Sequence, residues 1–235
     1  MIKVMIDPGH GQGNSNKGPT GYYEHEGNWK ISNYLKEIIE ASGNQANLTR
    51  TRNENPDLYT RGQKAQGYDL FISEHSNAFN GTVRGVEAYY DYSKPYDEDL
   101  AYEIAGSVAA VMGNDNRGAK KKVYTKDGVT YNYYGVIRAA SATNCKHIIL
   151  IENGFHDNPV DEAFLMEDEN LRKIAQAQAN VIFEFIAENS PSETVHWAEK
   201  HKKSLEAKGI PIYDTRYDEP MTRGEVFALL DRIVE

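Results

Sequence analysis

The chain of 235 residues holds a single cysteine, Cys145, so no internal disulfide framework can staple it. That residue reads as a small buried side chain near the start of a strand. No apolar run approaches the ~20 residues that cross a bilayer, so no membrane span is expected. Basic residues are in deficit, 26 Lys and Arg against 35 Asp and Glu, for a formal net charge of -9. This argues against nucleic acid or an anionic membrane as a partner, since either selects a clustered basic surface. The one basic run, Lys120-Lys121-Lys122, is too short to reverse it. The Gly-Lys-Ser/Thr order of a phosphate-binding loop is missing as well: the glycine-rich stretch after Gly9 carries Lys17-Gly18-Pro19, and a nucleotide site is excluded. The first residues lack the basic region, apolar stretch and small-residue cleavage site of a signal peptide, so synthesis in the cytoplasm is expected.

What is present is a series of short apolar runs, each ending in polar residues. Residues 2–6 run into Pro8-Gly9-His10-Gly11, residues 69–73 into Glu74-His75-Ser76-Asn77, and residues 146–151 into Glu152-Asn153-Gly154. Between them lie helical patterns. Ile31, Leu35, Ile38 and Ile39 define an amphipathic helix over 24–40 that stops at Gly43. Residues 58–66 form a short helix after Pro56, and Leu100, Ile104, Val108 and Val111 mark another over 99–112. A long helix is expected from Asn158 to about Ala187, with Asn158 as cap and Pro159 at its first position. Residues 46–49 and 86–92 read as two further strands, the second near an edge. Alternation of strand and helix predicts an α/β fold: a mainly parallel twisted sheet with helices on both faces, plus a small C-terminal helical segment. Ligands of such sheets bind outside the carboxyl ends of the strands. Parallel strands would therefore bring His10, His75 and Glu152 to one rim.

Two imidazoles and a carboxylate are a common ligand set for a catalytic zinc that keeps one position open. The first turn of the helix after the glycine-rich loop offers Glu24 and Glu26 as the carboxylate. A bound metal lowers the pKa of water from ~16 toward ~7. Amide hydrolysis then needs a base that passes the proton to the leaving nitrogen, and Glu152 is placed for it. His147 reads as half-buried scaffold, and His196 and His201 as solvent-facing. The tyrosines, among them Tyr89, Tyr90, Tyr92 and Tyr131 to Tyr134, read as packing residues, some able to stack on sugars.

These motifs resemble the zinc-dependent N-acetylmuramoyl-L-alanine amidases that cleave bacterial cell walls, phage endolysins included. The resemblance covers residues 1–187 and rests on Ile6-Asp-Pro-Gly-His-Gly11, Ser73-Glu-His-Ser-Asn-Ala78 and Ile149-Leu-Ile-Glu-Asn-Gly-Phe155 with Asn158. Leu48-Thr-Arg50 and Gly85-Val-Glu-Ala-Tyr89 add lesser matches. In the family pattern the ligand glutamate precedes apolar helix positions at plus seven and plus eleven. From Glu24 these fall on Ile31 and Leu35, from Glu26 on the polar Asn33 and Glu37, so Glu24 is the ligand and His25 is solvated. The resemblance thus implies one zinc ion held by His10, Glu24 and His75, with Glu152 as general base and then acid. Its substrate would be peptidoglycan, cut between N-acetylmuramic acid and L-alanine after release of the protein to the cell wall. Asn77 is a candidate for positioning substrate or closing a turn, and His156 is a candidate site residue beside Glu152. Glu74 departs from the family's usual apolar or small residue, and reads as a partner of the ligands or a rim charge. The rival readings are a wall-binding protein without activity, or a zinc peptidase or deacetylase acting on peptidoglycan.

Residues 188–235 form a second segment. Glu188-Asn-Ser-Pro-Ser192 reads as a linker, and Ser190 with Glu193 as a capping box for a helix ending at Gly209. Thr222 and Glu225 cap a second helix bearing Val226, Leu229, Leu230 and Ile233. So short a segment buries little alone and needs a partner. Trp197-Ala198, Gly209-Ile210, Pro220-Met-Thr-Arg-Gly-Glu225 and Leu229-Leu230 resemble part of an S-layer homology module. That implies attachment to a secondary cell-wall polymer. The alternative is a helical hairpin that docks on the catalytic domain or pairs two chains as a homodimer.

Overall fold

A computed structural model describes residues 1–189, with side chains through 186, and a helical turn at 202 and 204–209. By contact the chain divides into two compact units, Met1–Ile186 and Ala187–Glu235. In the second, residues 204–206 are helical and Gly209 takes a left-handed φ of 81°, the helix stop expected of it. Glu188 and Asn189, expected to open the linker, instead continue a helix; the rest of the linker, both capping boxes, the S-layer-like motifs apart from Gly209, His196 and His201 lie outside the described residues.

In chain order the first unit comprises β1 (Lys3–Pro8), α1 (Glu24–Ala41), β2 (Gln45–Leu48), α2 (Leu58–Gln63), β3 (Leu70–Asn77) and β4 (Val86–Tyr90). There follow α3 (Glu98–Met112), β5 (Asn116–Lys120), β6 (Val123–Lys126), β7 (Val129–Asn132), α4 (Gly135–Ser141), β8 (His147–Phe155), α5 (Pro159–Met166) and α6 (Asp168–Asn189). Among the described residues one sheet has the order β2-β1-β3-β8-β4-β5. The strands β2, β1, β3 and β8 are mutually parallel, whereas β4 runs antiparallel to β8 and β5 follows β4.

Strand alternation sends successive side chains to opposite faces, and the core is accordingly double. Val4, Ile6, Ile72, Ile149 and Ile151 pack against Ile31 and Leu35 of α1, Ile104 and Val108 of α3, and Ile174 of α6. Met5, Phe71, Ile148 and Leu150 face the other way, onto Val136, Ile137 and Ala140 of α4 and Ala65 beyond α2. Each such aliphatic or aromatic side chain contributes about 1.5–3 kcal/mol by leaving water. Near-continuous burial of the central strands explains why they read as unbroken apolar runs.

The structure departs from the sequence pattern in three places. The long helix expected over 158–187 is two helices, because Glu167 is extended at φ -85°, ψ 117°. The break lets Asp168, at the head of α6, accept from Tyr34 Oη and pair with Lys30 on α1. A tertiary tie thus overrides helical periodicity. The strand expected over 86–92 is shorter, lies inside the edge strand, and is buried at all five positions rather than alternating. Finally, β6 and β7 form a separate two-stranded hairpin that packing periodicity does not reveal. Asp127 and Gly128, at φ 51° and 77°, supply the left-handed pair that a tight hairpin turn needs.

The Asn158 cap forms as expected, with Oδ1 accepting from Val160 N at 3.0 Å and Asp161 N at 3.4 Å. Asn158→Ala is expected to lower stability by about 1 kcal/mol, read as a lower urea midpoint with an unchanged m-value. An unmoved midpoint would show that the cap contributes nothing net.

Candidate metal centre and active-site cleft

Beyond Pro8 the chain turns at the sheet end where β3 also finishes. Gly9 is required there: a Cβ would lie 2.4 Å from Glu74 O and 2.5 Å from His75 Cε1. His10 adopts φ 59°, a left-handed conformation unusual for a residue with a side chain. Two buried arginines hold this turn. Arg61 Nη1 donates to the carbonyls of Pro8 at 3.1 Å and His10 at 3.4 Å, and lies 3.5 Å from Asp7. Arg50 donates to Pro8 O at 2.9 Å, Gly9 O at 3.3 Å and His25 O at 3.0 Å, which ties the turn to the head of α1.

Glu24 is the first residue of α1, and the helical phase that buries Ile31 and Leu35 also turns it inward. Its Oε2 lies 3.1 Å from His10 Nε2 and its Oε1 3.0 Å from His75 Nδ1. The imidazoles are edge to face, with centroids 4.9 Å apart. One donor atom from each of His10, Glu24 and His75 lies within 4.8 Å of the others. Two nitrogens and a carboxylate oxygen so placed suit a metal such as zinc. Asn16 Nδ2 at 2.9 Å, Asn28 Nδ2 at 3.4 Å and Ser76 N at 3.2 Å donate to the same carboxylate and orient it. Burial works against the charge on Glu24, but hydrogen bonds and charge from the two histidines prevail and hold its carboxyl well below the usual range. Burial pushes the His75 imidazole down, against the pull of Glu24, in the direction that favours the neutral ring a metal ligand must be.

Glu26 points away and pairs with Arg52 at 2.8 Å. His25 is not solvated as the sequence suggests. It is 8% exposed, packed against the Tyr23 ring, and its imidazole is pushed down by burial. Glu74, next to His75, faces the opposite side of β3 and is fully buried, so it is no rim charge. It accepts from Asn153 Nδ2 at 2.8 Å and Gln178 Nε2 at 3.0 Å, and burial raises its carboxyl to about 7.

The register of β3 and β8 sets Glu152 directly beside His75, on the same face. Both line a cleft of about 650 Å³, together with His10, Glu24, Asn77 and His156. Glu152 is 6% exposed, and its Oε2 has no hydrogen-bond partner among the described residues. Burial, then the charges of Glu24 and Glu87, hold this carboxyl well above its ordinary range, against a smaller pull from Lys122. Asn77 closes the turn after β3 through Ala78 N and donates from Nδ2 to Glu87 Oε1 at 2.8 Å. His156 is buried, with Nδ1 2.9 Å from Ser76 Oγ and 3.0 Å from Ser76 O.

One wall of the cleft is not assembled by the sequence reading, which names its tyrosines only as packing or sugar-stacking residues and its lysine only within a basic run. Lys122, Tyr133 and Tyr134 line it from the two ends of the β6–β7 hairpin. Asp127-Gly128 between two β-prone runs was the signal available for that element.

The sequence profile of a family described as N-acetylmuramoyl-L-alanine amidase matches residues 4–184. The chain is 32% identical over 179 residues to the N-acetylmuramoyl-L-alanine amidase LytC of Bacillus subtilis, covering 74% of this chain and 33% of that protein. It is 30% identical over 187 residues to an endolysin of Bacillus phage SPP1, covering 78% of this chain and 65% of that protein. It thus spans less than two thirds of the length of either relative. Among solved structures, the N-acetylmuramoyl-L-alanine amidase AmiC2 of Nostoc punctiforme superposes with a TM-score of 0.67 at 28% identity, over 79% of this chain and 97% of that one.

Proposed function

The chain belongs to the N-acetylmuramoyl-L-alanine amidase family, and from its cleft we propose that it hydrolyses the amide between N-acetylmuramic acid and L-alanine in peptidoglycan. The observation that carries this reading is the convergence of His10, Glu24 and His75 on a cleft that also holds the buried, unpartnered carboxylate of Glu152.

His10, Glu24 and His75 would hold a zinc ion, which would polarise the scissile carbonyl as a Lewis acid and acidify a water toward ~7. Glu152 removes the proton from the attacking water. The water oxygen bonds to the carbonyl carbon, and the carbon–nitrogen bond then breaks as Glu152 returns that proton to the alanine nitrogen, leaving a lactyl carboxyl group and a peptide amine, between which the second proton passes to give carboxylate and ammonium. A carboxyl raised by burial retains the proton long enough to deliver it. Asn16, Asn28 and Ser76 N fix Glu24, while Arg50 and Arg61 hold the His10 turn, so the ligands are positioned before substrate arrives. We assign this chemistry to residues 1–187, which the compactness of Met1–Ile186 supports. The likeness to a phage endolysin supports a lytic role at the wall.

Digestion of purified cell walls tests the reading. New alanine amino termini are expected, abolished by a chelator and restored by zinc. Released acetate or internal peptide cuts would instead indicate a deacetylase or a peptidase.

A further inference from the structure

The segment leading into the β6–β7 hairpin carries a charge into the cleft whose only part in the hydrolytic step is the minor pull of Lys122 on Glu152. Lys122 precedes β6, is exposed, and places its ammonium 4.1 Å from the Tyr133 ring centroid and 5.5 Å from that of Tyr134. These ring faces confine a cation without neutralising it. Among the described residues Lys122 pairs with no carboxylate, although acidic residues outnumber basic ones by 35 to 26 in the chain. Its neighbour Lys120 is, by contrast, committed to Glu87. The other cleft cation without an ion pair is Lys17, which lies on the loop before Glu24 and also borders a second groove.

The two lysines stand in different relation to the reaction. The proton donor must touch the leaving nitrogen, so the peptide departs from the Glu152 side of the cleft. Lys122 lies on that side: its charge acts on Glu152, as that of Glu152 does on Tyr134, over which Lys122 sits, and all three line the cleft. Lys17 shares the loop of Asn16, which contacts His10.

We propose that Lys122 is a specificity-determining residue that binds a free carboxylate on the peptide-stem residue next after the alanine. The inference rests on the amidase reading for its substrate. An ammonium held by ring faces and in no ion pair among the described residues gains a charge-assisted hydrogen bond from a carboxylate and little from its amide. Stems with a free acid there are bound more tightly than stems in which it is amidated.

The test uses the full chain, zinc-loaded, with Glu152→Gln present so that ligands stay intact. The ligands are N-acetylmuramoyl-L-alanyl-D-glutamic acid and its diamide, titrated by calorimetry. The diacid is expected to bind roughly tenfold more tightly than the diamide, the gain of one hydrogen bond to a charged group. Adding Lys122→Met should abolish the difference by weakening the diacid alone, and Lys17→Met should leave it in place. The two single amides then show which carboxylate is read. Equal binding of diacid and diamide, no binding of either, or a ratio that survives Lys122→Met or falls with Lys17→Met overturns the proposal. Hydrolysis of the diacid by the unsubstituted chain is scored separately: absent cleavage with the binding ratio intact would count against the amidase reading and leave Lys122 as an anion site.

Discussion

Glu152→Gln retains its metal and loses roughly 10²- to 10⁴-fold in kcat, the range for removal of a positioned acid–base group. The substitution is nearly isosteric, and Glu152 lies within a strand whose packing does not depend on its charge. Its Oε2 accepts no hydrogen bond among the described residues, so the amide breaks no structural contact there. Loss of a carboxylate beside Glu24 and Glu87 also relieves repulsion, so folding stability should not fall. Zinc content by atomic absorption and turnover of cell walls separate the two roles. The sign of the pH dependence follows from the same surroundings. A base must be ionised to act, and burial with two acidic neighbours shifts that ionisation to higher pH. Activity of the unsubstituted chain therefore rises with pH through the raised Glu152 range, and this acid limb should vanish in the variant. Near-normal turnover, or an unchanged acid limb, would remove Glu152 from the mechanism.

Glu24→Ala should weaken zinc retention far beyond the 10- to 100-fold typical of losing a supporting partner, whereas Glu26→Ala should leave it within about twofold. Glu24 bridges both imidazoles, so its removal deprives the cluster of a ligand and leaves two histidines facing each other without a counter-charge. Among the described residues Glu26 pairs with the exposed Arg52 at 2.8 Å and stands 3.7 Å from the buried His25, and a surface pair such as that with Arg52 contributes about 0–1 kcal/mol. Competition against a chromophoric chelator measures both affinities. The reverse order would mean that α1 presents its other acidic residue to the histidines.

Much of this site is legible in one dimension because the sheet is parallel where it matters. The apolar runs ending at His10, His75 and Glu152 become the neighbouring strands β1, β3 and β8, and parallel neighbours end together. Helical phase, read through the spacing of the resembled family, separates Glu24 from Glu26. What stays hidden depends on contacts between segments remote in sequence. The burial of His25 comes from packing around the head of α1, and the full burial of Glu74 from partners on β8 and α6. The split between α5 and α6 follows from the ties of Asp168 to α1. The hairpin was missed for another reason: its strands are exposed at most positions and carry almost no hydrophobic pattern, so only its turn announces it.

That hairpin has a further consequence. The strands β6 and β7 pair only with each other, and their turn geometry sets their register, so among the described residues no ladder ties them to the main sheet. Beyond that pairing, Asn132 is buried and bonded to Asp91 and Tyr92, and Thr130 O accepts from Tyr92 Oη, so changes confined to residues 123–129 can leave the register of β1, β3 and β8 undisturbed. The tip of the hairpin can thus vary in length and sequence while Lys122, Tyr133 and Tyr134, which flank it, keep their places on the cleft wall.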